Sequence, residues 1–214
     1  MRLFIVRHGE TDWNREGRFQ GQQDTDLTEY GLSQADKVAD FLRGHKFDAV
    51  VSSPLKRARV TAEKIAAAAG CEAFETTEAL TEINHGDWEG LLANEVRAKW
   101  PRIIDLWHTS PHTVIMPGDG GESLRSVQLR AVKAVDEISA RYDGDVLVAS
   151  HDAVIKVLLC HFLDAPLSSF WRFQIANCSL TVAELRVGQP ARISLMGDAH
   201  FLGIGFDLPE QKGL

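Results

Sequence analysis

The sequence predicts an α/β fold, a three-layer α/β/α sandwich with helices on both faces of a mostly parallel sheet. Short apolar runs such as Leu3–Val6 lack alternating polar residues, as strands buried on both faces do. Segments with apolar residues at helical spacing separate those runs, and this alternation favours parallel strands. No stretch rich in Pro, Gly or Ser divides the 214 residues, so we expect one domain over 1–214.

The first half of the chain alternates predicted strands with predicted helices. Strands are expected at Leu3–Val6, Asp48–Val51 and Cys71–Glu75. Thr28 is a favourable N-cap residue for a helix whose apolar side chains recur at helical spacing. A second helix is expected to start at Ser53 and Pro54, which suit the cap and the first helical position, and Gly70 suits its end.

The second half predicts two further helices and three further strands. The strands are expected at Asp145–Ala149 and around the alternating pairs Leu180/Val182 and Ile193/Leu195. One helix is predicted over 123–142, with Gly144 ending it, and another runs through Val154 towards Phe162. The stretch from Leu91 to Met116 is irregular in its pattern and aromatic, and we expect the segment 91–123 to form a roof over a ligand site.

The composition limits the classes of partner. With 23 Lys and Arg against 30 Asp and Glu, the formal net charge is −7, which disfavours nucleic-acid binding and a polybasic contact with membranes. The 3 cysteines form no CxxC pair, and no secretory signal or membrane-spanning run is visible. We therefore expect a cytoplasmic protein with no nucleic-acid or membrane partner.

Polar residues follow three of the predicted strands at the point where each strand ends. Arg7 and His8 follow the first strand, Ser53 follows the second, and His151 follows the strand at 145–149. Ligand sites of open α/β sheets lie at this edge. With Arg57 from the helix after the second strand, these residues predict a cationic pocket for phosphate. Histidine is also a competent nucleophile, and the leaving oxygen then needs a proton donor.

Five ordered blocks of sequence resemble those of the histidine phosphatase superfamily, in its phosphoglycerate-mutase-like branch. The resemblance covers almost the whole chain, which makes it far more specific than one short motif. The blocks are Arg7-His8-Gly9-Glu10-Thr11, Ser52-Ser53-Pro54-Leu55 with Arg57, Leu80 to Gly90 with Glu82, Gly121-Glu122-Ser123, and Ser150-His151. The resemblance implies a phosphoglycerate-mutase-like fold, a small phosphomonoester as substrate and, as in many family members, a homodimer.

The resemblance also implies roles for individual residues. His8 would become the phosphohistidine, and Arg7, Arg57 and His151 would hold the phosphoryl oxygens. Glu82 would protonate the leaving alkoxide and then deprotonate the attacking water, which requires a raised carboxyl pKa. No metal or other cofactor is expected, since arginine and histidine supply the charge. Further contacts with substrate or phosphate are expected from Asn14, Gln20, Gly21, His85 and Asp152.

One of these residues departs from the family pattern. Asp152 follows His151 where the family usually has Gly-Gly. A carboxylate at this position could orient His151, repel phosphate or cap the next helix. We favour the cap, because Asp is a preferred N-cap residue.

A phosphatase is the preferred function, and three alternatives remain. A cofactor-dependent phosphoglycerate mutase would carry a longer charged insertion after the Glu82 block. A metal-dependent HD phosphohydrolase would place His151 and Asp152 on a helix rather than after a strand. A non-catalytic phospho-ligand binding module would usually have lost the nucleophile, which His8 retains. Among phosphatases, the chain resembles metal-independent phosphoserine phosphatases and also the broad-specificity and α-ribazole phosphatases.

Overall fold

The structure, a computed structural model, describes residues 1–203 as helices on both faces of a six-stranded sheet. Residues 204–214, the last part of the expected domain range, lie outside the described residues. The strands are β1 (Arg2–Arg7), β2 (Ala49–Ser52), β3 (Phe74–Thr76), β4 (Asp145–Ser150), β5 (Leu180–Glu184) and β6 (Arg192–Asp198). Their order is β3-β2-β4-β1-β5-β6, in which the first four are parallel and β5 is antiparallel to both its neighbours.

Two pairs of helices cover the sheet. The α-helices of the described chain are α1 (Asp12–Glu16), α2 (Glu29–Phe41), α3 (Lys56–Ala69), α4 (Ala93–Lys99), α5 (Pro101–Thr109), α6 (Leu124–Ser139) and α7 (Asp152–Phe162). Helices α2 and α3 pack together in one hydrophobic cluster, and α6 and α7 pack together in a second. The predicted three-layer arrangement therefore has one core on each side of the sheet.

Successive side chains of β1 pack alternately into the two cores. Leu3 and Ile5 pack with α6 and α7, whereas Phe4 and Val6 pack with α2 and α3. All four side chains are buried, and full burial of such a side chain contributes about 1.5–3 kcal/mol. The continuous apolar run thus reflects a strand that has helices on both faces.

The strand order places the carboxyl ends of β1 and β4 beside a crevice. After β1 the chain passes to β2 on the far side of β4, and after β4 it passes to β5 on the far side of β1. The two connections leave in opposite directions, which is the arrangement that opens a ligand crevice in α/β sheets. Arg7 pairs with Ser150 in the ladder, so the residues that follow both strands lie at the same level.

The predicted fold class is confirmed, and each predicted strand overlaps an observed one. Thr28 is the N-cap residue of α2, where its Oγ1 accepts from the Gly31 backbone N–H at 2.9 Å, and Gly70 ends α3. The predicted start of the second helix is wrong, because α3 begins at Lys56. The Oγ atom of Ser53 contacts the imidazole of His151.

Two further expectations need correction. Helix α6 ends at Ser139, well before Gly144. The stretch from Leu91 to Met116 is less irregular than expected, because it contains α4 and α5, and the amphipathic α5 buries Ile104 and Trp107. Its role as a roof stays a prediction. Within residues 1–203, no helix is both long and apolar enough to cross a membrane.

Candidate active site

The ends of β1 and β4 bring two histidines together. His8 directly follows β1 and donates its backbone N–H to the Ser150 carbonyl oxygen at 3.0 Å. His151 directly follows β4 and is the N-cap residue of α7. The centroids of the two imidazoles lie 5.2 Å apart, and both side chains are buried. The sheet therefore fixes the backbone on which both rings stand.

The protonation state of His8 leaves its Nε2 nitrogen free to act as a nucleophile. Nδ1 lies 2.7 Å from the Gly9 carbonyl oxygen, which can only accept a hydrogen bond, so Nδ1 carries the proton. Burial lowers the pKa of His8 well below 6.5, and the charges of Arg57 and Arg7 lower it further. The imidazole is therefore neutral at neutral pH, and its Nε2 keeps a lone pair.

His151 is held by a serine that the sequence analysis assigned to a helix start. Ser53 follows β2 and places its Oγ 2.8 Å from His151 Nε2. Burial lowers the pKa of His151 well below 6.5, with the charge of Arg57 the next cause. His151 Nδ1 is buried without a hydrogen-bond partner in the part of the chain that the structure describes. A nitrogen in that condition is a candidate ligand contact.

Two buried arginines lie beside the nucleophile. Arg57 of α3 donates from its two terminal nitrogens to the carbonyl oxygens of Gln23 and Gly21, both at 2.8 Å. Burial lowers the pKa of Arg57 to about 10, so its guanidinium is charged at neutral pH. Arg7 donates from Nη1 to the carbonyl oxygen of Ile175 at 2.6 Å. Both Nε atoms have no partner within residues 1–203 and are donors that an anion can use.

Asp152 is not the helix cap that the sequence suggested. His151 holds the N-cap position, and Asp152 is the first residue of α7. The Asp152 carboxylate lies 3.4 Å from Arg7 Nη1 and 2.7 Å from Lys156 Nζ. The cap prediction was wrong because local propensity does not include the two buried cations that the fold brings to this carboxylate.

Glu82 lies in the loop after β3, as expected, and its carboxyl meets the N-terminus of α7. Its Oε1 accepts from the backbone N–H groups of Ile83 at 3.0 Å and Ala153 at 3.2 Å. Burial raises the pKa of Glu82 to about 7, and the carboxylate of Asp152 adds to that increase. Near neutral pH the group is present in both protonation states, which suits alternate donation and acceptance of a proton.

A pair that sequence reasoning missed holds the Glu82 loop. Arg130 of α6 makes two hydrogen bonds to the Glu122 carboxylate, at 2.8 and 2.9 Å. The same guanidinium donates to the carbonyl oxygens of Thr81 and Glu82 at 2.6 and 3.0 Å. Glu122 in turn accepts from the backbone N–H of Asn84 at 2.9 Å. The sequence block around Glu122 was a signal for this pair, but nothing in the pattern pointed to Arg130.

His85 lies in a buried aromatic cluster. Its ring centroid is 5.1 Å from Phe19, 5.9 Å from Trp107 and 6.4 Å from Trp88. Burial, followed by the charge of Arg57, lowers the pKa of His85 to about 3, so the ring is neutral. Neither ring nitrogen has a hydrogen-bond partner among the described residues. His85 thus offers one donor and one acceptor to a ligand, and its predicted substrate contact stays a prediction.

The other three predicted contacts lie in the segment after β1. Asn14 Oδ1 accepts from the Thr11 backbone N–H at 3.1 Å, and Gln20 Oε1 accepts from Thr11 Oγ1 at 2.8 Å. These bonds use the oxygens and leave the amide nitrogens to donate. Gly21 has a φ of 52°, and an added Cβ would lie 2.0 Å from Glu89 Oε1, so a side chain there would strain the backbone and displace the Glu89 carboxylate. Whether these residues contact a ligand stays a prediction.

The site combines the groups that displacement at phosphorus requires. Arg7 and Arg57 supply positive charge, His8 supplies an uncharged nucleophile, and Glu82 supplies or accepts a proton. Within residues 1–203, no three His, Cys, Asp or Glu side chains are grouped as a metal site requires. Among residues 1–203, the guanidiniums of Arg7 and Arg57 supply the positive charge beside His8.

Comparison with known proteins identifies the family. A family model described as the histidine phosphatase superfamily (branch 1) matches residues 3–198. Phosphoserine phosphatase 1 of Hydrogenobacter thermophilus is 39% identical over 186 residues, which cover 86% of this chain and 87% of that protein. The solved structure of YhfR from Bacillus stearothermophilus has a TM-score of 0.86 and 35% identity, covering 94% of this chain and 98% of that one.

A third relative was solved with a ligand. It is a variant phosphoserine phosphatase from Entamoeba histolytica in complex with phosphoserine, with a TM-score of 0.80 and 30% identity. The alignment covers 94% of this chain and 98% of that chain. This chain is a member of the histidine phosphatase superfamily, branch 1.

Proposed function

We propose that this chain hydrolyses a small phosphomonoester through a phosphohistidine formed on His8. One observation carries the proposal: a neutral His8, with its Nδ1 proton bound to Gly9, lies in the same site as a Glu82 whose pKa is raised to about 7. A nucleophile with a free lone pair and a carboxyl that exchanges protons near neutral pH are the two groups that both half-reactions use. Membership of the histidine phosphatase superfamily supports the same chemistry.

In the first half-reaction, His8 Nε2 attacks phosphorus. The Nε2–P bond forms while the bond from phosphorus to the ester oxygen breaks, and protonated Glu82 gives its proton to the leaving alkoxide. The Gly9 carbonyl stabilises the ring as it gains positive charge, because it already accepts from Nδ1. Arg7, Arg57 and His151 hold the phosphoryl oxygens, on which negative charge is concentrated.

In the second half-reaction, water releases the phosphoryl group. The Glu82 carboxylate takes a proton from the water, whose oxygen then bonds to phosphorus. The Nε2–P bond breaks, its electron pair returns to His8, and inorganic phosphate leaves. Glu82 ends protonated, so the enzyme is ready for the next substrate without any other reagent.

For the substrate, we propose phosphoserine or an ester of similar size and polarity. Two of the relatives are phosphoserine phosphatases. The buried cluster around His85 adds a physical reason, because its unpartnered ring nitrogens would bind a polar leaving group and its aromatic walls limit size. A leaving group without polar atoms would leave those nitrogens unsatisfied.

The test is a panel of phosphomonoesters assayed with and without EDTA. It contains phosphoserine, sugar phosphates, 3-phosphoglycerate and α-ribazole phosphate, and phosphate release is measured. We expect phosphoserine to be hydrolysed, with no effect of EDTA, and His8→Ala to abolish release from every ester. His161→Ala is the matched control, since His161 is exposed on α7, and it should behave as wild type.

Each alternative gives a different result in that panel. Substantial phosphate release by His8→Ala would contradict the phosphohistidine mechanism. Loss of activity in EDTA would favour a metal-dependent phosphohydrolase. Interconversion of phosphoglycerates in the presence of 2,3-bisphosphoglycerate, without phosphate release, would favour a mutase. Binding of phosphate esters with neither transfer nor release would favour a non-catalytic module.

A further inference from the structure

Lys156 is a buried cation that the proposed mechanism does not use. It lies on α7, one turn after Asp152, and its side chain is 1% exposed. Its Nζ is 2.7 Å from Asp152 Oδ2 and lies over the rings of Phe170 and Trp171, 5.1 and 4.8 Å from their centroids. A fully buried ammonium is costly unless it is paired, so its position needs a reason.

Asp152 connects this cation to the phosphate site. Its second oxygen, Oδ1, lies 3.4 Å from Arg7 Nη1, and the Asp152 side chain is fully buried. Arg7, Asp152 and Lys156 therefore form a buried row of alternating charge. In this row, Arg7 is proposed to hold phosphate, and the Lys156 ammonium lies over two aromatic rings of the segment Leu167–Arg172.

The charges of this row explain why Asp152 contacts both Arg7 and Lys156. With Arg7 alone, the Asp152 carboxylate would cancel one of the two guanidinium charges beside His8. Lys156 restores that charge, so within residues 1–203 the two arginines together still match a phosphate dianion. Asp152 keeps its contact with Arg7 and can restrict the rotation of that side chain without lowering the net charge of the site.

We propose that Lys156 is a positioning residue, which binds the Asp152 carboxylate so that Asp152 orients Arg7 without neutralising the phosphate site. This inference rests on the proposed function, because it assumes that Arg7 binds phosphate. It also explains how this chain tolerates an acid next to His151. The repulsion of phosphate that a lone Asp152 would cause is offset by the ammonium one helical turn away.

The test removes the charges of Lys156 and Asp152 singly and together. Calorimetry then measures the affinity of each variant for inorganic phosphate. Lys156→Met keeps much of the length and the packing against Phe170 and Trp171 but removes the charge. We expect it to weaken phosphate binding about 10-fold or more, because the charge of Lys156 then no longer offsets that of the Asp152 carboxylate beside Arg7. Asp152→Asn combined with Lys156→Met removes both charges and should bind phosphate within about 3-fold of wild type.

Further variants separate charge from folding. Lys156→Arg should keep most of the affinity, and the exposed Lys133→Met on α6 is the control that should keep all of it. Circular dichroism and thermal melting report whether each variant folds. If Lys156→Met does not fold, Asp152→Asn alone decides: it removes the carboxylate and keeps the Lys156 charge, so it should bind phosphate at least as tightly as wild type, and weaker binding would overturn the inference.

The outcomes that overturn the inference are distinct from failure of the proposed function. Unchanged phosphate affinity in folded Lys156→Met would show that Lys156 has a merely structural role, as would a double variant as weak as Lys156→Met. In turnover, a charge role predicts a rise in KM that exceeds the fall in kcat for Lys156→Met. If no ester is hydrolysed by wild type, the phosphohydrolase proposal fails while the calorimetric cycle still tests this one.

Discussion

The two halves of the site are built in different ways. The phosphate half, with His8 and His151, stands on the ends of paired strands, where backbone hydrogen bonds of the sheet fix each residue. The leaving-group half, with Glu82 and His85, stands on a loop that Arg130 and its partner carboxylate hold through hydrogen bonds to backbone atoms. The first half therefore depends on the fold as a whole, and the second on a few side chains distant in sequence.

This difference predicts that substitutions in the two halves of the site change turnover and phosphate affinity to different degrees. A change in the phosphate half removes charge or nucleophile directly, so its effect on turnover is large while the protein stays folded. A change behind the loop displaces Glu82 by a fraction of an ångström and reduces proton transfer without changing phosphate affinity.

Replacement of Arg57 by lysine should give the largest loss in this series. Lysine keeps a charge but lacks the planar fork that binds the Gln23 and Gly21 carbonyls, so kcat/KM should fall about 100-fold or more. Arg59→Lys is the matched control on the same helix, where the exposed Arg59 pairs with Glu63 at 3.1 Å, and it should not change activity. Equal effects of both substitutions would refute the role of Arg57.

Replacement of Glu82 by glutamine should slow turnover of alkyl phosphates about 100-fold, since it removes the proton donor and base. Inorganic phosphate should bind Glu82→Gln with nearly wild-type affinity, and the exposed Glu78→Gln serves as the control. Steady-state kinetics with calorimetry separates the two quantities. A loss of affinity with unchanged kcat would contradict the proton-transfer role.

The pH dependence follows from the state of Glu82 in the free enzyme. The first half-reaction needs the protonated carboxyl, so kcat/KM should be maximal below and fall above about pH 7. The fall should approach about 10-fold per pH unit once Glu82 is mostly ionised. His8 adds no acid limb near neutrality, because its pKa lies well below 6.5. The pH profile of kcat/KM for Glu82→Gln should not show the fall near pH 7. A fall that persists in this variant would be due to titration of another group.

Replacement of Arg130 by lysine should have a smaller effect, about 10-fold on kcat, because Glu82 remains present but is less well placed. The affinity for inorganic phosphate should be unchanged. Arg125→Lys, an exposed change on the same helix, is the control. If Arg130→Lys weakens phosphate binding as much as it lowers kcat, the two halves of the site are not independent.

Replacement of His85 by asparagine should have the smallest and most selective effect. KM for phosphoserine should rise about 10-fold, as a polar contact to the leaving group is lost, while phosphate affinity stays constant. His112→Asn, an exposed change within 91–123, is the control. An equal rise in KM for esters with different leaving groups would show that His85 acts on the phosphoryl group instead.

The same division explains what the sequence could predict. Strand ends are readable because a buried strand has a continuous apolar run, so the positions of Arg7, His8 and His151 followed from Leu3–Val6 and its counterpart in β4. The Arg130 contacts could not be predicted from the sequence, because they join residues about fifty positions apart through backbone carbonyl oxygens. Propensity alone also misled at Asp152, where buried cations outweigh the capping tendency.

The mechanism requires a covalent phosphoryl group on His8, which a rapid-quench experiment can detect. Glu82→Gln is mixed with ³²P-labelled p-nitrophenyl phosphate, whose leaving group needs no proton, so the first half-reaction proceeds and the second is slow. We expect a label that is stable to alkali and labile to acid, located on the peptide that contains His8 and absent from His8→Ala. Label on another residue, or rapid nitrophenol release with no labelled protein, would contradict the account.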